Sequence, residues 1–562
     1  MRSSWSRLPR PAGSWAPGVV AFAVGIAWFL WLGFGEAVSP WHVRWAFNED
    51  WAVSQLGFSF YKNARWGFPV GVIPNYFEPY GTTVGYTDGV PAIAPLAKLV
   101  APLMPTQFQY IGLFWCLCFG AMGTAGERLT SLATSDVWQR LLGGALFAVS
   151  PVMVARMGHP DLCAMFVLVA GLYLAQRRSS TWAETKRHLG YSMLLMAFAA
   201  GVHPYLAAMV LTLLVASSLG QVAVDKVVPR RWALVWLGAP GAVALFFFWV
   251  YGFVGFQKMD RSAEGFGEFA MDLNAFFNPQ QGHSNWVAAW PILPRAFEGF
   301  QYLGVGALAL LALRALLALR EAFAAAALSR LREYLRANAF VVAAVLAMAF
   351  YALSFSVRLH GEEVLNLRPL YEPVLGVASI FRASGRFGWP LHFSLLAVAV
   401  GAGARCGSRP AWGRLALGAA LLLQIIEAQR PTRVPTRESF EPMPPDRFAA
   451  LRGDYDRFVF VPIHLQWVCR FDANKVYSFA YEANEHRMGM NAGYLPRAID
   501  GVHKLCDQHL SSASPLDPRA VYVVDDDFRA DFDRPDVVCG RRHGWNICVA
   551  DRPTAFASQL RL

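Results

Sequence analysis

Long apolar segments without a charged side chain recur over most of the first 430 residues of this chain. Phe340–Leu353 contains no charge, and Val243–Val250 consists of apolar and aromatic residues alone. The chain of 562 residues is 55% hydrophobic and only 16% charged, too little charge to cover a water-soluble protein of this size. The segments therefore predict an all-α polytopic membrane domain, because helices satisfy their own backbone polar groups in lipid.

Eleven segments are predicted to span the membrane. An odd number puts the two chain ends on opposite sides, with residues 1–17 as a cytoplasmic N-terminus and the membrane domain over 18–430. The predicted spans are 18–38, 107–129, 139–156, 161–176, 189–202, 205–222, 232–255, 302–318, 338–356, 387–404 and 414–429.

The net charge of +11 would suit a nucleic-acid-binding protein, but the basic residues lie where membrane insertion puts them. They cluster in every second loop, and short loops rich in Lys and Arg stay in the cytoplasm. We therefore predict a multi-pass protein of a bacterial inner (plasma) membrane and no nucleic-acid partner. The clusters are Arg2, Arg7 and Arg10; Arg177, Arg178, Lys186 and Arg187; Lys226, Arg230 and Arg231; Arg320, Arg330, Arg332 and Arg336; and Arg405, Arg409 and Arg414.

Two predicted outer loops are long, over 39–106 and 256–300. Loops of this length in a compact membrane domain are usually functional. The first mixes aromatic with apolar residues, which predicts helices lying in the membrane interface. Its aromatic residues include Trp41, Trp45, Trp51, Tyr61, Trp66, Tyr76 and Tyr80.

A proline-rich linker after Glu427 separates the membrane domain from residues 431–562. Strand-like runs at Arg457–Ile463, Ala520–Val524 and Trp545–Ala550 predict that this part is a small extracytoplasmic α/β domain, periplasmic or extracellular.

The C-terminal domain contains four cysteines, which allow two disulfides in three pairings. Cys539 and Cys548 flank a predicted hairpin turn from Gly540 to Gly544, which favours that pair; Cys469 and Cys506 are the other two. Free buried thiols are the alternative interpretation.

Adjacent carboxylates, Glu49 and Asp50, follow the first span on the predicted outer side. Carboxylates beside tryptophans at a membrane surface are expensive to desolvate and usually have a partner or a function. The alternative is a helix N-cap formed by Asn48 or Asp50. Asp88, in Gly85-Tyr86-Thr87-Asp88-Gly89, is typical of a turn residue.

Histidines stand at two predicted outer turns, in Gly158-His159-Pro160-Asp161 and Val202-His203-Pro204-Tyr205. Proline at the first helical position makes an ordinary helix start the favoured interpretation. An imidazole at either turn could also bind phosphate or a metal ion.

Arg382 and Arg386 precede the tenth predicted span at its outer end. Residues four apart share one face of a helix, and guanidinium forks suit phosphate. Snorkelling to lipid headgroups is the alternative. Asp525, Asp526 and Asp527 follow a predicted strand and are interpreted as a solvated turn.

Several segments of the chain, in this order, resemble the GT-C glycosyltransferase superfamily, and specifically a bacterial branch related to protein O-mannosyltransferases and lipid A aminoarabinose transferases. They extend over about 40–390. The segments are Leu56 to Gly71, Gly85-Tyr86-Thr87-Asp88, Phe108 to Leu113, Asn274 to Pro279, Glu298 to Gly304, and Phe381 to Arg386.

The resemblance implies an inverting glycosyltransferase that takes a sugar from a polyprenyl-phosphate donor on the outer membrane face. Asp50, with Glu49 as its neighbour, would be the catalytic base acting on a protein, glycan or lipid acceptor, although the acidic pair separated by one residue that is usual in the family is replaced by Glu49-Asp50. Arg382 and Arg386 would bind the donor phosphate, membrane lipid would surround the enzyme, and the resemblance leaves room for a divalent metal. The remaining candidates for substrate binding are Asp88, His159, Asp161, His203 and Glu298.

Two other classes of protein remain open. A lipid or glycan flippase or transporter would more often show inverted repeats and ionisable residues at mid-membrane. A non-enzymatic envelope assembly protein would bind through its C-terminal domain and would not need Asp50 or the two arginines.

Overall fold

The computed structural model describes residues 15–48, 50–256, 265–321, 325–432, 434–436, 440–444, 448–451, 453–496, 499–510 and 515–561. The described chain is mostly helical. Its α-helices are α1 (Ala16–Phe29), α2 (Gly35–Val38), α3 (Trp51–Asn63), α4 (Ala94–Val100), α5 (Ile111–Thr130), α6 (Val137–Ala148), α7 (Pro151–Ala155), α8 (Phe166–Gln176), α9 (Trp182–Ala200), α10 (Pro204–Leu219), α11 (Ala233–Val250), α12 (Val305–Glu321), α13 (Ala325–Ala337), α14 (Ala339–Ala352), α15 (Arg368–Tyr371), α16 (Leu375–Ala378), α17 (Trp389–Ala404), α18 (Pro410–Glu427), α19 (Ala473–His486) and α20 (Ala555–Leu560).

Its strands form two small hairpins and one larger sheet. They are β1 (Val72–Ile73), β2 (Thr82–Thr83), β3 (Ser356–Leu359), β4 (Glu362–Asn366), β5 (Arg457–Val461), β6 (Gly489–Met490), β7 (Ala520–Val524), β8 (Val537–Arg542) and β9 (Trp545–Ala550).

Five helices among the described residues are long and apolar enough to cross a membrane, so the prediction of eleven spans is not met. The other predicted spans fall on helices that are shorter than 18 residues, such as α8, α12 and α14, or that are less apolar over their length, such as α5, α9 and α18. Sequence hydropathy thus found the apolar segments but overestimated how many form long and strongly apolar helices. The five are Ala16–Val38, Val137–Ala155, Pro204–Val224, Arg230–Val250 and Ser384–Ala404.

The chain divides into two compact units. The first, here called the helical unit, consists of Met1–Gly35, Phe114–Phe247 and Arg261–Val434. Within it, α10 packs against α8, α9 and α14, while α12 packs against α17 and α18.

Small residues bring α1 and α5 into close contact in the helical unit. A Cβ atom added at Gly25 would clash with the carbonyl of Phe119, and one added at Gly123 would clash with the carbonyl of Ala21. Close backbone approach through small residues is typical of membrane helices.

The second unit, here called the mixed unit, joins three stretches of chain: Glu36–Leu113, Phe248–Asp260 and Pro435–Leu562. It contains the predicted C-terminal domain, whose five-stranded sheet has the order β6-β5-β7-β9-β8. β5 runs parallel to β6 and β7, and β9 runs antiparallel to β7 and β8. The prediction of a C-terminal domain with strands and helices is confirmed.

Two disulfides stabilise this domain, Cys469–Cys506 and Cys539–Cys548. The second is the pair favoured from sequence, and it joins the adjacent strands β8 and β9 at paired positions.

The first predicted outer loop packs against the C-terminal sheet inside the mixed unit. Tyr76 forms a parallel bridge to Met490 of β6, and the Met490 N–H donates to the Asn75 carbonyl at 3.0 Å. α3 lies against α19 and is buried along nearly its whole length. α3 is therefore a core helix of this unit, whereas the sequence predicted helices in the membrane interface.

Candidate functional site

Asp50 lies at the N-cap position of α3 in the mixed unit, but its side chain makes no capping hydrogen bond. Its Oδ1 atom instead accepts a hydrogen bond from the Tyr494 hydroxyl at 2.5 Å. The capping interpretation of Asp50 therefore does not describe its carboxylate, which faces the C-terminal domain. Glu49, the other candidate for the catalytic base, lies outside the described residues.

Backbone contacts hold Tyr494 in place. Its N–H donates to the Tyr76 hydroxyl at 3.2 Å, and Tyr76 is fully buried with its ring stacked on Phe60. The preceding residue, Gly493, leaves room for this hydroxyl, since a Cβ atom there would clash with it. The first predicted outer loop thus helps to fix the backbone position of Tyr494.

The carboxylates of Asp50 and Asp88 influence the pKa of the Tyr494 hydroxyl. Burial raises the pKa of Tyr494 well above its usual value, and the charges of Asp50 and Asp88 raise it further. Tyr494 therefore remains a neutral hydrogen-bond donor throughout the physiological pH range. Asp88 is close enough to contribute to this site.

Asp88 has the backbone of a turn residue, with φ 49° at the end of a short 3₁₀ helix. Its carbonyl accepts from the Ser54 hydroxyl of α3 at 2.9 Å, which ties the turn to the helix that begins at Asp50. The turn interpretation from sequence describes its backbone.

Trp467 completes the group. Its indole N–H donates to the Tyr494 hydroxyl at 3.2 Å, while its side chain is 80% exposed. A line of hydrogen bonds thus runs from Trp467 through Tyr494 to Asp50.

Asp525 follows β7 in the same unit and is not a solvated turn residue, contrary to the prediction. Its carboxylate contacts Lys475 Nζ at 2.5 Å, His464 Nε2 at 3.0 Å and Arg470 at 3.1 Å. Although burial alone would raise the pKa of Asp525, His464 and Lys475 lower it well below its usual range. His464 and Lys475 are themselves buried, so this ion-pair cluster joins β5, α19 and β7.

Glu298 lies between two arginines in the helical unit. Its carboxylate accepts two hydrogen bonds from the Arg386 guanidinium, at 2.8 and 2.7 Å, and one from Arg156 at 2.5 Å. All three residues are buried. Burial alone would raise the pKa of Glu298, but the two guanidinium groups lower it far below its usual range, so the carboxylate stays ionised.

The histidine turns lie near this group within the helical unit. His203 Nδ1 accepts from the Tyr205 N–H at 3.1 Å and so caps α10, as the helix-start interpretation predicts. Its Nε2 atom lies 3.6 Å from the buried carboxylate of Asp161. His159 lies close enough to influence the pKa of Glu298. Within the helical unit, the structure thus brings together His159, Asp161, His203 and Glu298.

Arg382 and Arg386 do not share one face of a helix, which corrects the prediction. The chain leaves helical geometry at Ala383, with φ −85° and ψ 65°, and the Ala383 N–H donates to the Tyr205 hydroxyl at 2.9 Å. The break separates the roles of the two arginines. Arg386 is buried and its guanidinium forms an ion pair with Glu298. Arg382 is half-buried, and its guanidinium lies 6.0 Å from the Phe269 ring centre.

Sequence reasoning missed Arg156, Tyr494 and Trp467. Arg156 had a signal, because an arginine at the predicted outer end of a span departs from the charge rule, as Arg382 and Arg386 do. Tyr494 and Trp467 had none, since nothing local links them to Asp50.

The comparisons with known proteins agree with this division of the chain. No curated protein sequence matches it. Residues 447–550 match the DUF6311 C-terminal domain, and residues 22–429 match the family described as Domain of unknown function (DUF6311). Because the second match covers most of the sequence, the chain belongs to the DUF6311 family.

Proposed function

We propose that this protein is a membrane glycosyltransferase of the GT-C type, which transfers a sugar from a polyprenyl-phosphate donor to an acceptor hydroxyl with inversion. The observation that carries the proposal is the Asp50 carboxylate, which makes no capping hydrogen bond and accepts instead from Tyr494 at 2.5 Å. A carboxylate held in this way is suited to general-base catalysis.

The proposed reaction is a single displacement. The acceptor hydroxyl oxygen forms a bond to the anomeric carbon of the donor sugar, and the bond from that carbon to the phosphate oxygen breaks. The electron pair leaves with the polyprenyl phosphate, and Asp50 takes the hydroxyl proton. Tyr494 is a positioning residue, because it holds the carboxylate and does not exchange a proton itself.

The leaving phosphate needs cationic stabilisation. Arg382 is suited to this role because it precedes α17 and its side chain is only half-buried, within reach of a ligand. For Arg386 to bind the donor phosphate, that phosphate would have to compete with the buried carboxylate of Glu298. We therefore assign the phosphate contact to Arg382 and the placement of Glu298 to Arg386.

The proposed site is on the outer face of the bacterial inner membrane, with the N-terminus in the cytoplasm. The two disulfides of the C-terminal domain support this, because disulfides persist in oxidising compartments. Alkaline phosphatase fused after Leu562 should be active, and fusions after Arg187 and Arg231 should be inactive. A C-terminal fusion active only as a cytoplasmic reporter would contradict the orientation.

The test of the function is Asp50→Asn in membranes supplied with radiolabelled polyprenyl-phosphate sugars. The change keeps the size and hydrogen-bonding oxygen of the side chain, so folding should survive while transfer falls by roughly 10²–10⁴-fold. Glu49→Gln is the neighbouring control. Wild-type transfer by Asp50→Asn would refute the assignment, and loss in Glu49→Gln alone would move the base by one residue.

The products can be identified in cells. Mass analysis of glycans and glycoproteins from a deletion strain should show one class of sugar missing, and Asp50→Asn should reproduce that loss. An unchanged profile in the deletion strain would contradict a transferase role.

A further inference from the structure

Trp467 differs from every other large apolar side chain described in the C-terminal domain, because it alone is mostly exposed, at 80%. Its backbone has φ 68°, in the left-handed region that bulky residues rarely adopt. Residues in sparsely populated backbone conformations cluster at functional sites. An aromatic ring held out to solvent in this conformation points to a binding role.

The loop that carries Trp467 is firmly attached at both ends. Leu465 bridges Gly493, and the N–H groups of Val468 and Cys469 both donate to the Leu465 carbonyl. The Cys469–Cys506 disulfide lies two residues beyond Trp467. The indole is therefore presented by a rigid loop, which lowers the entropic cost of binding.

The position of this loop in the sheet agrees with a binding site. The loop follows the carboxyl end of β5. The next strand in the sequence, β6, pairs with one edge of β5, and the strand after it, β7, pairs with the other edge. In open α/β sheets, ligands bind outside the carboxyl ends of the strands at such a switch point.

We infer that Trp467 is the platform on which a saccharide ring of the acceptor stacks, so that the acceptor of the proposed reaction is a glycan. The inference rests on the proposed function. The Trp467 N–H and the Asp50 carboxylate bond the same Tyr494 hydroxyl, at 3.2 and 2.5 Å, so one hydroxyl group links the proposed platform to the proposed base.

The chemistry around Trp467 fits a sugar better than a peptide. One face of a pyranose ring presents C–H groups to an aromatic surface, and its rim presents hydroxyl groups to polar partners. The Tyr494 hydroxyl supplies a polar group beside the indole, and the half-exposed Arg470 follows three residues further along the chain. A peptide would need unpaired backbone groups or a strand edge, and the Leu465 backbone is already bridged to Gly493.

The test measures binding of the full-length protein, purified in detergent and fluorescently labelled, to an array of bacterial surface glycans and serine/threonine-rich peptides. We expect the wild type to bind at least one glycan class and no peptide. Trp467→Ala should weaken that binding by roughly tenfold or more, and Trp467→Phe should retain part of it. Trp412→Ala is the matched control, because Trp412 is also exposed, at 57%, but lies on α18 in the helical unit.

Equal glycan binding by the wild type and Trp467→Ala would overturn the inference, as would a wild type that binds only peptides or binds nothing. Measuring transfer by Asp50→Asn alongside glycan binding separates a failure of the Trp467 inference from a failure of the proposed glycosyltransferase function. Glycan binding that depends on Trp467 in a protein without transferase activity would refute the function alone. Transfer that depends on Asp50 but not on Trp467 would refute the inference alone.

Discussion

The Tyr494 hydroxyl donates a hydrogen bond to Asp50 across 444 residues of sequence, so the C-terminal domain contributes directly to the surroundings of the proposed base. Because the Tyr494 N–H donates to the Tyr76 hydroxyl, the first predicted outer loop supplies both the Asp50 carboxylate and a support for Tyr494. The C-terminal domain is thus part of the candidate site.

We expect Tyr494→Phe to lower kcat for sugar transfer by roughly tenfold to a hundredfold and to leave donor affinity unchanged. The substitution keeps the ring and removes only the hydroxyl, whose hydrogen bond to a charged group is worth about 1.5–3 kcal/mol. Single-turnover kinetics and donor binding, measured on the same preparation, separate these two effects.

Tyr455→Phe is the matched control for this variant. Tyr455 also lies in the C-terminal domain, and its hydroxyl bonds Thr554 at 2.9 Å, away from Asp50. A similar loss of transfer in both variants would indicate that Tyr494 acts only through the stability of the domain.

Gly493→Ala should loosen the contact between the first predicted outer loop and the C-terminal sheet, because the new Cβ atom would clash with the Tyr76 hydroxyl and ring. Overpacking of this kind costs about 1–3 kcal/mol. Hydrogen exchange at Asn75–Tyr76 and Met490 should rise, and transfer should fall with it. Gly376→Ala, where no atom lies within 4 Å of the added Cβ, should leave both unchanged. Normal exchange in Gly493→Ala would show that Tyr76 moves aside freely.

The sequence predicted local features well. Segments such as Pro204–Val224 combine length with uncharged apolar residues, and the hairpin turn between Cys539 and Cys548 brings that pair together by itself. Features of this kind depend on neighbours in the chain, which periodicity and turn chemistry report.

Contacts between distant residues were missed or misjudged. The sequence predicts a solvated turn at Asp525 because the partners that enclose it, His464 and Lys475, lie 61 and 50 residues away. It predicts one helical face for Arg382 and Arg386 because no nearby residue signals the break at Ala383, whose N–H bonds the distant Tyr205 hydroxyl. Tertiary contacts overrode local preference in both cases.

The Asp525 cluster predicts a pH-dependent stability of the C-terminal domain. The folded state lowers the pKa of Asp525, so its contribution is present above the unfolded value of about 3.9 and is lost as the pH falls through the lower folded value. Asp525→Asn should increase hydrogen exchange in β5 and β7 at pH 7, because it leaves Lys475 buried without its partner. The free energy of unfolding should fall by an amount on the order of 3 kcal/mol.

In Asp525→Asn, the part of the acid sensitivity that lies below about pH 4 should also disappear. Asp527→Asn is the control, since Asp527 is 72% exposed and contacts Arg470 at 3.3 Å on the surface. An identical acid profile in the wild type and Asp525→Asn would show that another carboxylate controls the transition.

The two arginines before α17 should separate into a binding role and a structural role. Arg382→Ala should weaken binding of a radiolabelled polyprenyl phosphate by about 1–3 kcal/mol, and Arg382→Lys should restore part of the affinity because the charge survives. Arg386→Ala should lower the unfolding temperature, because it removes two hydrogen bonds from the buried Glu298 carboxylate. Breaking a buried ion pair costs on the order of 3–5 kcal/mol.

The double variant Arg386→Gln with Glu298→Gln tests the structural role of Arg386 directly. This variant removes one charge of each sign from the buried group and leaves Arg156 without its ionic partner. If the unpaired Glu298 charge is what destabilises Arg386→Ala, the double variant should be at least as stable as Arg386→Ala. Wild-type donor affinity in Arg382→Ala would favour snorkelling to lipid headgroups as the role of that residue.

Normal unfolding of Arg386→Ala together with weakened donor binding would instead assign Arg386 to the phosphate site. That result would mean that the fold tolerates the loss of the Arg386–Glu298 ion pair, whereas binding of the donor phosphate requires the Arg386 guanidinium.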